Sequence, residues 1–128
     1  MLLEKLSLYL SEVESNLKSL KDCYFEKYEE EILTPSRINL KIRVRFLNGN
    51  LLELNEAVIF EKGEFKNLAY RYHFQDKNNK LIFRYDNTPH YPDLKNFPHH
   101  KHDSSGVVDA MKPSIVEVIE SINKYLET

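Results

Sequence analysis

The sequence has 128 residues, of which 41% are hydrophobic and 30% charged, the balance of a soluble globular protein with room for one domain and its own core. No apolar run reaches the length that a membrane span needs, about 18 residues. The start of the sequence, MLLEKLSLYLSE, contains acidic residues and lacks the cleavage pattern of a signal peptide. A single cysteine excludes an internal disulfide framework, and together these features predict a cytoplasmic protein of one domain that has no membrane partner.

Charge is unevenly distributed along the chain, although the net charge is only −2. Residues 1–35 carry four Lys or Arg against eight Asp or Glu, and residues 102–128 carry two against five. Residues 36–101, in contrast, carry twelve against seven. A basic middle between acidic ends indicates that the middle of the chain binds a polyanion.

Residues 2–32 are predicted to be helical, and the segment 1–34 is expected to end at Thr34-Pro35-Ser36. Steps of three and four residues separate its apolar side chains, which makes one stripe along a helix. The stripe contains Leu3, Leu6, Leu10, Val13, Leu17, Leu20 and Tyr24. It either packs on a sheet or pairs with a second copy of the chain, and the second alternative would give a homodimer through this helix.

Residues 38–86 are predicted to form a four-stranded antiparallel sheet. Apolar and polar residues alternate from Ile38 onward, and turns at Asn48-Gly49, Lys62-Gly63 and QDKNNK separate the predicted strands. The basic residues of the first strand share its outer face, because alternate side chains of a strand point the same way. These residues are Lys41, Arg43 and Arg45.

The remainder is predicted to be a loop rich in His and Pro, residues 87–112, followed by a helix, residues 113–127. Three X-Pro steps and the run Asp-Ser-Ser-Gly indicate irregular structure, and Pro113 suits the first turn of a helix. The helix is expected to pack on the sheet. The predicted fold class is therefore α+β, with a helical segment, the sheet, the loop and a C-terminal helix.

Strand alternation brings four ionisable side chains together in the third and fourth predicted strands. Arg71 and His73 share one face, Arg84 and Asp86 share one face, and a tight hairpin sets the two pairs beside each other. Arginine matches phosphate oxygens in pairs, so this face could hold a phosphate-bearing ligand. The alternative is a solvated face with ordinary ion pairs such as Arg84–Asp86.

Four of the five histidines lie between His90 and His102, and three interpretations remain open. Cleavage of RNA at its 2′-hydroxyl needs a base, an acid and cations, and histidine can serve as base or acid near neutral pH. Zinc could bind histidines 99, 100 and 102 with Asp103, or His90 with His102, but adjacent histidines do not easily face one ion and no cysteine helps. The imidazoles could also pack against Tyr91 and Phe97.

We favour the catalytic interpretation, which needs no metal and no cofactor. The predicted catalytic residues are His73, Arg71, Arg84, Asp86, His90, His99, His100, Lys101 and His102. The predicted nucleic-acid-binding residues are Lys41, Arg43, Arg45 and Tyr91, of which the tyrosine could stack on a base. The histidine run 99–102 is expected to converge with His73 and Arg84 on one site.

The runs YRYHF, LIFRYDNTPHYP and FPHHKH, in that order, resemble the signature of the TumE family, the toxins of certain bacterial and archaeal toxin–antitoxin pairs. The resemblance extends from about Ile38 onward and is sharpest between Tyr70 and His102. It implies a toxin with a cognate antitoxin protein. The residues themselves favour a metal-independent endoribonuclease that binds RNA, with a non-catalytic nucleic-acid- or protein-binding module as the alternative.

Overall fold

A computed structural model describes residues 2–126, which form two helices and seven strands. In chain order these are α1 (Leu2–Leu17), β1 (Cys23–Thr34), β2 (Arg37–Phe46), β3 (Leu51–Glu61), β4 (Glu64–Gln75), β5 (Leu81–Asp86), β6 (His100–Asp103), β7 (Gly106–Asp109) and α2 (Ile115–Leu126). The fold is α+β as predicted, but the predicted number of strands, four, is wrong. The chain divides into two compact units, one with both helices and one, Cys23–Lys112, with the sheet.

In the helical unit, α1 and α2 contact each other. A reciprocal capping box opens α2, because the backbone N–H of Glu117 donates to Ser114 Oγ and the N–H of Ser114 donates to Glu117 Oε1, both at 3.1 Å. Val13 and Leu17 of the predicted stripe are buried within the chain itself. Pairing of the stripe with a second copy, and packing of the last helix on the sheet, stay predictions. Within residues 2–126, no helix has the length and apolar character that crossing a membrane requires.

The predicted helix of residues 2–32, and with it the helical segment 1–34, is wrong beyond Leu17. The chain turns at Asp22, whose φ of 55° is left-handed, and then forms β1, which pairs antiparallel with β2 over nearly its whole length. Its many glutamates favour a helix in isolation. Pairing with β2 through the two-residue loop Pro35-Ser36, together with the aromatic residues of β1, overrides that local preference.

The strands of the sheet follow chain order, β1 to β7, and every neighbouring pair is antiparallel. The alternation in β2 is confirmed, since its apolar residues are buried and its basic residues point to the other face. The buried residues are Ile38, Leu40, Ile42, Val44 and Phe46. The turn at Lys62-Gly63 has positive φ at both residues, 52° and 79°, as a type I′ hairpin requires.

The predicted loop 87–112 also needs correction, because β6 and β7 lie within it. Strand β5 would otherwise be an edge with unpaired backbone groups, and β6 pairs with it. The run Asp-Ser-Ser-Gly is the turn between β6 and β7: Asp103 Oδ1 accepts a hydrogen bond of 2.8 Å from the backbone N–H of Ser105, and Gly106 has a φ of 111°. The histidine run is thus largely a strand rather than a loop.

Candidate functional site

The strand register aligns the predicted site residues in two rows that cross the same face of the sheet. The first row, called the Asp86 row below, contains Lys41, Asn55, Arg71, Asp86 and His100. The second, the Arg84 row, contains Arg43, Glu53, His73, Arg84 and His102. The predicted neighbourhood of the four side chains of β4 and β5 is therefore confirmed, and β6 adds two histidines to it.

A carboxylate and two imidazoles meet on β5 and β6, at one end of the two rows, and we call Asp86, His100 and His102 the histidine–aspartate cluster. His100 Nε2 lies 2.9 Å from Asp86 Oδ1, and His102 Nε2 lies 3.6 Å from Asp86 Oδ2. The Nε of Arg84 is also 3.6 Å from Asp86 Oδ2. The backbone N–H of Thr88 donates to Asp86 Oδ1 at 3.0 Å, so the carboxylate is held from several sides.

His100 is bound at both ring nitrogens. Its Nδ1 lies 2.9 Å from the carbonyl oxygen of Pro98, and because a carbonyl oxygen only accepts, Nδ1 carries a hydrogen. Its Nε2 faces the Asp86 carboxylate, so a proton lies between these two atoms as well. With only 1% of the residue exposed, His100 cannot contact a substrate directly. Its ring links the Pro98 carbonyl to the Asp86 carboxylate.

His102 is the histidine of the cluster that reaches solvent, with 19% of its side chain exposed. Its ring centre lies 4.9 Å from that of His100, and the two rings meet edge to face. Burial lowers the pKa of His102 and the nearby Arg84 lowers it further, whereas Asp86 raises it. The net lowering of this pKa keeps the imidazole neutral at neutral pH, the state that can accept a proton.

The chain after β5 folds back over this face through Tyr91. Its ring centre lies 5.0 Å from that of His100 and 6.1 Å from that of His102. His90, exposed at the surface, contacts Tyr91 edge to face at 6.2 Å and acts electrostatically on His102. Tyr91, predicted to stack on a base, is therefore engaged with the imidazoles, and it brings His90 close to the cluster.

The predicted convergence of the whole run 99–102 is wrong for His99 and Lys101, because alternate residues of a strand point to opposite faces. Lys101 lies over the ring of Tyr85, with Nζ 5.3 Å from the ring centre. The ring of His99 stacks on Tyr70 at 5.7 Å, and its Nδ1 lies 3.0 Å from the Tyr70 hydroxyl. Both residues belong to the face that carries the buried tyrosines.

His73 lies in the Arg84 row but is mostly buried, with 8% exposed. Gln75 donates its amide to Asn79, so its Oε1 accepts from His73 Nε2 at 2.7 Å. Burial lowers the pKa of His73, partly opposed by this hydrogen bond. His73 and His102 are two strands apart, roughly 10 Å between backbones, so they cannot exchange a proton directly.

Arg43 and Arg45, predicted to bind nucleic acid, are already ion-paired. Their Nε atoms lie 2.8 Å and 3.1 Å from the two carboxylate oxygens of Glu26, and their hydrogen bonds lower the pKa of that carboxyl. Arg43 also lies 3.6 Å from Glu53. The sequence did not indicate Glu26 as their partner. Its segment was predicted to be helical, and in a helix Glu26 would not be expected to face the arginines of β2.

A pocket of about 360 Å³ lies on the same face, between β2 and the start of the loop after β5. It is lined by Arg37, Asn39, Leu40, Lys41, Asn55, Glu56, Ala57, Ala69, Tyr70, Arg71, Asn87 and Thr88. Lys41 and Arg71 were predicted site residues. Arg37 was missed, although its position, two and four residues before Asn39 and Lys41, gives it the same parity in the strand. Asn87 ties the loop to β4 by accepting from the backbone N–H of Tyr70 at 3.1 Å.

The three residues of the histidine–aspartate cluster also have a spacing that would admit a metal ion. Their ligand atoms all lie within 4.8 Å of one another, and two imidazoles with one carboxylate are ligands that zinc accepts. The predicted alternative of zinc on histidines 99, 100 and 102 does not fit, since His99 lies on the other face. A metal on the cluster would have to displace the proton between His100 and Asp86.

Comparison with known proteins gives one result. The family model described as Toxin TumE matches residues 15–128, a range that includes every strand of the sheet and the whole cluster. The match confirms the resemblance carried by the three sequence runs. No curated protein and no solved structure matches the chain.

Proposed function

We propose that this chain, which belongs to the TumE family of toxins, cleaves RNA as a metal-independent endoribonuclease. The observation that carries the proposal is a partly exposed imidazole, His102, whose pKa is lowered by burial, beside a buried imidazole–carboxylate pair and an arginine. Membership of a toxin family implies a cognate antitoxin partner. That partner is expected to cover the face that carries the cluster, because occlusion of this face would block the substrate.

The residues can be assigned to the steps of cleavage through the 2′-hydroxyl. His102 takes the proton of the 2′-hydroxyl, whose oxygen then attacks phosphorus, and the bond from phosphorus to the 5′-oxygen breaks. The products are a 2′,3′-cyclic phosphate and a 5′-hydroxyl. Arg84 donates to the charged oxygens of the transition state. His90, exposed and near His102, donates a proton of its own to the departing 5′-oxygen, and proton exchange with water then restores both imidazoles.

The buried residues Asp86 and His100 act on His102 rather than on the substrate. After His102 has gained a proton, the Asp86 carboxylate 3.6 Å away stabilises the resulting imidazolium. His100 holds that carboxylate through its own hydrogen bond and is fixed in turn by the Pro98 carbonyl. His100 is therefore a positioning residue, and His102, Arg84 and His90 are the proposed catalytic residues.

The experiment is cleavage of an end-labelled single-stranded RNA by purified protein in EDTA. His102→Gln is expected to slow cleavage by about 10²–10⁴-fold, the usual effect of losing an acid or base. Lys101→Gln is the matched control, because it changes the next residue of the same strand on the opposite face. An RNA with 2′-deoxyribose at the cleaved position should resist. Equal activity of His102→Gln and the wild type would refute the proposal.

The alternative is a module that binds nucleic acid without cleaving it. The burial of His73 and His100 favours it, since two histidines of the predicted catalytic set would then have a purely structural role. This module would bind RNA as tightly as the proposed enzyme does, yet the RNA would remain intact in the same assay.

A further inference from the structure

We propose that the pocket lined by Arg37, Lys41 and Arg71 binds one nucleotide of single-stranded RNA, with its phosphate on these three cations, next to the nucleotide that is cleaved. The inference rests on the proposed function for the identity of the ligand and deepens it. It assigns a substrate-binding site and an orientation for the RNA. The RNA chain would lie along the Asp86 row and so cross the β-strands rather than run parallel to them.

The first argument is the connection between the pocket and the cluster. Lys41, Asn55, Arg71 and Asp86 are consecutive members of one cross-strand row. Three strand spacings of about 4.8 Å set the backbones of Lys41 and Asp86 roughly 14 Å apart. Thr88 lines the pocket, and its backbone N–H donates to Asp86 Oδ1. A ligand in the pocket therefore lies directly beside the cluster.

The second argument is uncompensated charge. Arg37, Lys41 and Arg71 are exposed, and within the part of the chain that the structure describes none of them makes an ion pair. Glu56 also lines the pocket, where it is buried and its carboxylate accepts the hydroxyl of Tyr72, so three cations stand against one carboxylate and positive charge remains in excess. Arg43 and Arg45 differ from these three cations because both are ion-paired with Glu26 and Arg43 also with Glu53.

The third argument is the size and chemistry of the lining. A volume of about 360 Å³ lies at the lower end of the roughly 300–1,000 Å³ found for ligand pockets, which suits a single nucleotide. The amide side chains of Asn39, Asn55 and Asn87 offer both donors and acceptors. Such groups can bond to a base edge or a ribose hydroxyl, whereas the cations hold the phosphate.

The test measures binding of a fluorescent single-stranded RNA by anisotropy, in the His102→Gln background so that the RNA stays intact. The pocket variant carries Arg37→Gln, Lys41→Gln and Arg71→Gln. The control loses the same charge at turns outside the pocket, through Lys62→Asn, Lys77→Gln and Lys80→Gln. Asparagine is used at Lys62 because its φ is 52°, which asparagine tolerates.

The pocket variant should bind more weakly and flatten the slope of log affinity against log salt by about 0.7, the contribution of one single-strand phosphate contact. The control should change the slope by less than half a unit. Adenosine monophosphate should compete with RNA on the control and not on the pocket variant. Equal weakening of both variants, or unchanged binding by the pocket variant, would overturn the proposal.

The outcome also separates this inference from the proposed function. Wild-type protein that binds through the pocket but leaves RNA intact would refute cleavage and keep the pocket. Wild-type protein that cleaves, with a pocket variant that has unchanged KM, would keep the enzyme and refute the pocket. A pocket variant that still binds RNA but loses a co-expressed antitoxin would mean that the pocket takes a protein segment, which also refutes the proposal.

Discussion

The two faces of β6 carry ionisable side chains in very different surroundings. On one face, His100 and His102 lie within 2.9 Å and 3.6 Å of the Asp86 carboxylate. On the other, Lys101 lies over the ring of Tyr85. A histidine beside a carboxylate can gain and lose a proton while the neighbouring charge compensates, whereas a lysine over a ring remains a fixed cation. The proposed chemistry therefore depends on which side chains lie across the neighbouring strand, and not on how many basic residues a run contains.

The largest effect on stability and on cleavage is expected from Asp86→Asn, which removes the carboxylate that contacts His100 and His102 on one face of β6. His100 would face a neutral amide in a buried site, and breaking such a pair typically costs about 3–5 kcal/mol. Cleavage should also fall by about 10²–10⁴-fold, because His102 loses its stabilising charge. Urea denaturation and the RNA assay measure the two effects.

Asp93→Asn is the control for this change, since Asp93 is exposed in the loop after β5. Its effect on the free energy of unfolding should stay within about 0.5 kcal/mol, the usual range for surface substitutions. Suppose that Asp86→Asn lowered the free energy of unfolding as little as Asp93→Asn does. The contact between His100 and Asp86 would then add no stability, and the two faces of β6 would not differ in energy.

A second expected effect of similar size is inhibition by zinc. Zinc bound to the cluster would occupy the lone pair of His102 that the proposed reaction needs. EDTA should leave wild-type cleavage unchanged, and added zinc should stop it. Calorimetric titration should find zinc binding in Lys101→Gln and none in His102→Gln. Loss of cleavage in EDTA would contradict the metal-independent mechanism.

A smaller effect is expected from Arg84→Gln, which alters the electrostatics of His102. Cleavage should fall by about 10²–10³-fold, the usual result of losing one donor to the transition state. Burial is the main cause of the lowered pKa of His102, and Arg84 is the second. The NMR titration midpoint of His102 should therefore lie below 6.5 in the wild type and rise in the variant.

The same pKa directions predict how stability depends on pH. His73 and His102 have lowered pKa values in the folded chain, whereas an unfolded histidine titrates near 6.5. Below about pH 6.5 the unfolded chain therefore binds more protons, and the free energy of unfolding should decrease as pH falls through this window. His73→Gln should reduce that decrease. A stability that rose on acidification through the window would contradict both pKa directions.

Most of the sheet could be predicted because alternation and turn residues are local signals. Strand β2 shows a clear period of two, and the turn at Lys62-Gly63 fixes the register of the β3–β4 hairpin as far as the register shift between Ala57 and Val58. The edges of the sheet could not be predicted in this way. Strand β1 follows a leucine stripe and is rich in glutamate, and β6 has four residues, HKHD, none of them apolar. Both become strands only by pairing with a neighbour.

The placement of a candidate site residue could be predicted where the strand that carries it was predicted, and not where that strand was missed. The adjacency of Arg71, His73, Arg84 and Asp86 follows from one hairpin. The pairing of His100 with Asp86 depends on β6, which was not predicted. The sequence therefore placed the histidine run near the site but did not show which of its residues point to which face of the sheet. The neutralisation of Arg43 depends on Glu26 of β1. Long-range pairing decided these placements, whereas Arg37 was missed although alternation within β2 already gives it the parity of Asn39 and Lys41.

The smallest expected effect belongs to Lys101→Gln, which tests the face of β6 opposite the Asp86 carboxylate. Its ammonium lies 5.3 Å from the centre of the Tyr85 ring, and a cation–π contact at a partly exposed site is worth about 0.5–1 kcal/mol. The free energy of unfolding should decrease by no more than that amount, and RNA cleavage should stay within twofold of the wild type. Lys101→Arg should recover the stability, because a guanidinium also binds to an aromatic face. A large loss of cleavage in Lys101→Gln with rescue by Lys101→Arg would mean that the positive charge on this face takes part in the reaction, so that the two faces of β6 act together.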